Sequence, residues 1–195
     1  IGEFSRANNS MSIAIGRSAV STGSQSLSLA PYSQALGSNS IALAKSYAGG
    51  TNSFAAAMNT NSSSYGAQGF GSVVIGQNSK ATATRSFAIG ATCSSTSENS
   101  ITIGHNNTTS GFGAFAFGSR ATSAVRGKYA FAAGRFAADG DAQGGQFILR
   151  ADTTDATATV LTTNNNTAAA DNQIVAASDT CIMFSGTVVA MQNGA

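Results

Sequence analysis

A short motif returns about every fourteen residues, and that period constrains the chain more than any other feature. It begins at Ser12, Ser26, Ser40, Ser53, Ser72, Ser86, Ser100, Ala114 and Lys128, in steps of 14, 14, 13, 19, 14, 14, 14 and 14. Such regularity marks a stacked repeat architecture. Fourteen residues are too few for a pair of helices. They accommodate two short strands and two tight turns, which is one coil of a flat β-solenoid.

The first strand of each coil alternates small and large residues, as in "SIAIG", "SVVIG", "SFAIG" and "SITIG". The second strand has small residues seven and nine places after the start, as in Ala19/Ser21, Ser79/Ala81, Cys93/Ser95 and Ala121/Ser123. Glycine recurs four places after the start, at Gly16, Gly76, Gly90, Gly104 and Gly118. It recurs again at eleven, at Gly23, Gly37 and Gly111, where a turn with positive φ is expected.

Side chains alternate across a strand, and a roll two strands thick has room inside for small ones only. The large set is therefore expected on the outside: Ile13/Ile15, Leu27/Leu29, Ile41/Leu43, Val73/Ile75, Phe87/Ile89, Ile101/Ile103, Phe115/Phe117 and Tyr129/Phe131. Stacked at about 4.8 Å per coil, these residues would form an apolar stripe roughly 40 Å long. A soluble monomer does not leave such a stripe wet, so other copies of the chain are expected to cover it. The second strand's outer positions are mostly polar, as in Lys80/Thr82, Ser94/Thr96 and Thr108/Ser110. One apolar and one polar face suit packing around a symmetry axis, with geometry alone leaving two, three or four copies open.

The unit S-Φ-A-Φ-G-x-x-[AS]-x-[AS]-x-G, read in "SIAIGRSAVSTG", resembles the head repeat of trimeric autotransporter adhesins, the YadA-like heads. The resemblance spans residues 1–134. It implies a left-handed parallel β-roll that assembles as a homotrimer about the apolar stripe.

Two interruptions stand out. Between Ser53 and Ser72 the coil "SFAAAMNTNSSSYGAQGFG" is five residues too long. It reads either as a longer surface turn or as a contact loop over 58–71 presenting Tyr65 and Phe70. From Gly134 onward the period is lost, and residues 135–195 read as a second, small β-rich module. Its strands are expected near 146–151 and 156–163, around a "DTTD" turn, then in "QIVAA" and "TCIMFSGTVVAMQ". The stretch "GDAQGGQFILRADTTDATATVL" resembles β modules that follow YadA-like repeats in fibre and structural proteins of tailed bacteriophages, notably marine ones. Charge divides at the same place. Residues 1–135 carry nine Lys/Arg against Glu3 and Glu98, and residues 136–195 carry Arg150 against six Asp. Both ends look like cuts: Ile1-Gly2 fills the last two places of a motif, and an apolar strand immediately precedes the end of the chain.

Composition and spacing narrow the function. The basic residues are scattered singly, with no interleaved aromatic platform for nucleic acid. No apolar run approaches the roughly 18 residues of a membrane span, and no basic start leads into an apolar stretch. Cys93 and Cys181 lie far apart and read as buried small residues, with no disulfide framework or zinc site. His105, the only histidine, follows a coil turn without a nucleophile elbow. Glu3 and Glu98 lie nearly seven coils apart, too far for a glycosidase pair. Asp139 and Asp141 lack the further acidic ligands that calcium requires and read as a junction turn. No catalytic, cofactor or metal site is expected.

The leading expectation is a non-enzymatic trimeric fibre of a phage virion, tail or capsid. It would attach to a host-surface glycan or protein, join other virion fibre or tail proteins, and serve as a rigid spacer. The alternative is a bacterial autotransporter adhesin head at the cell surface. A polysaccharide-degrading tailspike ranks below both for want of carboxylates. Ice binding ranks there too, because Thr is irregular across the coils.

Overall fold

The computed structural model describes residues 1–57, 62–175 and 181–190, and these form an all-β chain without helix. No helix is long and apolar enough to cross a membrane among the described residues. About nine coils stack into a β-solenoid with two walls. The first strands of the coils, from Ile13–Ile15 to Tyr129–Ala133, form nine strands of a ten-stranded sheet. The second strands, from Arg6–Ala7 to Thr122–Ser123, form a nine-stranded sheet. Every pairing within the stack is parallel and holds the sequence period. Val73, Phe87, Ile101, Phe115 and Tyr129 thus align in one column.

Both irregular steps are absorbed in turns, leaving the strands in register. The 13-residue step keeps Ile41 opposite Phe54 and Gln34 opposite Tyr47, with one residue missing between Ala44 and Ser46. The 19-residue step keeps Phe54 opposite Val73 and Gly66 opposite Lys80. The five extra residues therefore lie between Phe54–Ala57 and Gly66–Ala67.

The interior is as thin as the alternation requires. Ala14, Ser28, Ala42, Ala55, Val74, Ala88, Thr102, Ala116 and Ala130 point inward from the first strands and are buried. The second strands meet them with Ser21, Ala35, Ala48, Ala81, Ser95 and Thr109. So many buried hydroxyls would be costly unpaired, and most pair within the roll. Ser21 Oγ meets Ser26 Oγ at 2.6 Å, Ser95 meets Ser100 at 2.7 Å, and Thr102 meets Thr109 at 2.7 Å. The first Ser of a coil thus pairs with the ninth-place Ser of the coil before. Where that place is Ala35 or Ala48, the Ser40 and Ser53 hydroxyls are left without a partner.

The glycines divide differently from the sequence expectation. Those at the fourth place have positive φ: +129° at Gly16, +124° at Gly76, +122° at Gly90 and Gly104. Those at the eleventh place, Gly23, Gly37 and Gly111, do not. They are glycines because a Cβ would lie 1.9–2.5 Å from a carbonyl oxygen of the next coil. Ala30 and Ala44 take the fourth place with positive φ as well, and most of the other left-handed positions in the coils fall at the sixth and thirteenth places. Asn78, Thr92 and Asn106 occupy the first, and Asn39, Arg85 and Asn99 the second.

After Ala133 the parallel stacking ends. The chain reverses, and Gln143–Gln146 pairs antiparallel with Tyr129–Ala133. Farther on, the expected hairpin of 146–151 with 156–163 is reduced to one antiparallel bridge, Arg150 with Thr162. Residues 173–175 and 181–190 form no strand, and the rest of that expected pair lies outside the described residues. An apolar strand needs a ladder to join, and Met183, Phe184, Val188 and Val189 stand exposed instead.

Candidate functional site

The large residues point out, as the alternation predicts. In the isolated chain Ile75 is 42% exposed, Ile103 37% and Phe131 45%, although each sits between two paired strands, and Ile13 on the edge strand is 50% exposed. Leu27, Leu29, Leu43, Val73, Ile89, Ile101, Phe115 and Phe117 share that face and are half-buried by their neighbours. Toward the last coils the stripe turns aromatic. Phe115 stacks on Tyr129 at 5.1 Å between ring centroids, and Phe117 tilts against Tyr129 at 4.9 Å and Phe131 at 4.6 Å. Parallel in-register pairing causes this, because each coil sets its side chain directly on the last. The result is a flat, continuous, apolar wall.

The opposite wall is polar and carries the irregular features. Tyr65 and Phe70, expected on one loop, are separated. The insertion closes before Gly66, so Phe70 belongs to the regular turn beyond the strand, equivalent to Phe112. Phe70 is 51% exposed, whereas Tyr65 is half-buried beside the second strands. Four residues of the predicted loop, 58–61, lie outside the described residues.

The junction turn has its own charge order. Asp139 Oδ1 accepts hydrogen bonds from Arg120 Nη1 and Arg135 Nη1, each at 3.0 Å. The Arg120 bond is the main reason its carboxyl lies below the ordinary aspartate value. Asp141 accepts backbone N–H bonds from Phe136, Ala137 and Ala138 at 2.6–2.8 Å, which hold its carboxyl low as well. These carboxylates are engaged by their own chain.

The remaining reactive groups are dispersed. His105 is exposed at the end of its strand. Glu98 pairs with Arg85 on a turn, far from Glu3. Cys93 is buried, as expected, and burial pushes its thiol up. Cys181 is exposed, contrary to expectation, because its segment forms no ladder. Among the described residues, no three His, Cys, Asp or Glu side chains gather as metal ligands would.

Two contacts had only weak sequence signals. The Arg17 guanidinium lies over the Tyr32 ring at 5.0 Å, with Lys45 Nζ at 5.8 Å, because places five and six of adjacent coils stack. Gln143 pairs through its side-chain amide with the backbone of Thr122. It accepts from the Thr122 N–H at 2.8 Å and donates to the Thr122 carbonyl at 3.0 Å.

Comparison with known proteins identifies the repeat. Residues 2–29, 67–92 and 95–121 match the family model of the YadA head domain repeat. The unmatched stretch 30–66 contains the insertion of the long coil. No curated protein matches the chain.

Proposed function

We propose that this chain is part of a non-enzymatic, trimeric attachment fibre that holds a binding surface away from its base. The observation that carries the reading is the apolar wall of sixteen outward side chains on a chain that also carries YadA head repeats. YadA-type heads are trimeric, and YadA-like adhesins are extracellular surface proteins. Covering the wall with two further copies would bury the part of each large side chain still exposed, at about 25 cal/mol for each Å2 of apolar surface removed from water. The polar walls then face outward for contact with a host-surface glycan or protein. The carboxylates' engagement with their own chain supports a binding role over a hydrolytic one.

The fibre is assigned to a phage virion, tail or capsid, on the resemblance of residues 140–161 to modules of phage fibres. Its neighbours there are other virion fibre or tail proteins. The second reading, a bacterial autotransporter adhesin head at the cell surface, is favoured by the family match itself. The flanking genes separate the two: tail genes on one reading, a signal peptide, coiled-coil stalk and membrane anchor on the other.

The test is the oligomeric state. Sedimentation and light scattering should give three times the chain mass. Ile101→Asp with Ile103→Asp would place like charges around the axis at several kcal/mol each and prevent assembly. The trimer should release no reducing ends from host glycans. A wild-type chain that is folded and monomeric, or turnover abolished by Glu98→Gln, refutes the proposal.

A further inference from the structure

The two interruptions of the repeat, 74 positions apart in the chain, line one groove. It runs along the polar wall with a volume of about 310 Å3, and its lining includes Tyr65, Lys80, Thr92, Ser94, Thr108 and Asp139. Lys80, Ser94 and Thr108 form its floor, on successive coils paired in register. Thr92 and Asn106 form a rim, in left-handed conformation with φ of 57° and 52°. The inserted loop brings Tyr65 to one end. The junction turn brings Asp139 to the other, held by Arg120 and Arg135.

We propose that this groove binds a linear, neutral oligosaccharide laid along the roll axis, roughly one sugar ring to a coil. The inference rests on reading the chain as an attachment fibre and names what it attaches to. Three properties select the ligand. First, the hydroxyls of Thr92, Ser94 and Thr108 make no hydrogen bond within the chain among the described residues. Those of Ser94 and Thr108, paired on successive coils, lie about 4.8 Å apart, close to the length of a pyranose, and Thr92 adds a third from the rim. An extended peptide repeats its side chains on one face at about 6.7 Å and would fall out of step within two coils. Second, the ends suit a sugar chain. Tyr65 offers a ring on which a pyranose face stacks, and both contacts to Asp139 fall on Oδ1, leaving Oδ2 to accept from a hydroxyl. Third, charge is sparse. Lys80 is the one cation among the described lining residues, and Asp139 is already held by Arg120 and Arg135, so the groove carries no row of charges that would select a polyanion or a polycation. From the coil of Tyr65 to that of Arg120 is four coil steps, about 19 Å, which accommodates about four rings.

The test uses the full chain as the trimer, with cello-, manno-, galacto- and chito-oligosaccharides of two to six rings as probes in titration calorimetry. At least one series should gain tenfold or more in affinity from two to four rings and little from four to six. Tyr65→Ala and the double change Ser94→Val with Thr108→Val should each weaken that binding at least fivefold. Asp139→Asn, which keeps the shape of the turn, should weaken it also. Ser110→Ala, beyond the floor strand, should not. A trimer that adheres to host cells yet ignores all four series overturns the groove assignment and leaves the fibre reading standing. So does binding that is indifferent to length, or to the Tyr65 and Ser94/Thr108 changes. A folded monomer overturns the fibre reading itself.

Discussion

Asn107 shows what a single residue does where the backbone ladders are interrupted at a turn. It stands at the seventh place of its coil and is fully buried. Its Nδ2 donates to the carbonyls of Ile103 at 2.7 Å and Gly118 at 2.9 Å, and its Oδ1 accepts from the Ala121 N–H at 2.7 Å. Gly118 and Ala121 belong to the next coil, so the amide splices two coils across the turn that joins one sheet to the other. Ser79 makes the same splice, donating to the Gly90 carbonyl and accepting from the Cys93 N–H, both at 3.0 Å. Asn107→Ala would strand the Gly118 carbonyl and the Ala121 N–H, and chemical denaturation should show a loss of about 2–4 kcal/mol. Asn107→Ser should recover part of it, as at Ser79. The small residues at this place were legible as inward-facing, but their splicing was not. It depends on the gap between the sheets, which no spacing within one coil reveals. The turn glycines were half legible for the same reason. Gly23 and Gly37 are dictated by the neighbouring coil's carbonyls and not by their own φ.

Among the elements, the junction turn 135–141 is the most sensitive to acid. Asp139 and Asp141 both have carboxyls held below the ordinary value of 3.8, by Arg120 and by backbone N–H groups respectively. A depressed folded value means stabilisation that is complete above the ordinary value and is lost as pH falls from there through the folded one. The protection of the Ala137 and Ala138 amides, measured against their intrinsic exchange, should therefore fall below pH 3.8 while the coils, which contain two glutamates, stay protected. Protection unchanged down to pH 2 would disprove it. The repeat strands were legible to the residue, since a period of fourteen ties each to its neighbours. The strands expected after 146 were not, because alternation alone gives a strand's faces and supplies it no ladder. Gln143–Gln146, with Gly144 and Gly145 at its centre, carried no strand signal at all. It forms because the last coil's edge is there to receive it.

At the scale of the whole molecule, identical registers make coils interchangeable. Removing residues 86–99 would join Arg85 to Ser100, place Thr102 over Val74 and Asn107 over Ser79, and leave the apolar wall unbroken. Such a chain should fold and assemble, with a melting temperature within a few degrees of the parent, because stability in a solenoid is a sum over neighbouring coils. Removing residues 93–99 alone would leave a coil without its second strand, and that chain should aggregate. Equal melting of the two would contradict the coil-by-coil account. Interchangeability raises the question of what ends the stack, since each coil presents an open edge ready to template another. The antiparallel return of Gln143–Gln146 answers it for one sheet, and the Gln143 amide on Thr122 answers it for the other. Together they act as a stop placed after a tape measure. Whatever number of coils precedes it, the reversal closes both edges at once. Reach can then change by duplication or loss of fourteen residues, about 4.8 Å at a time, with the terminus never redesigned.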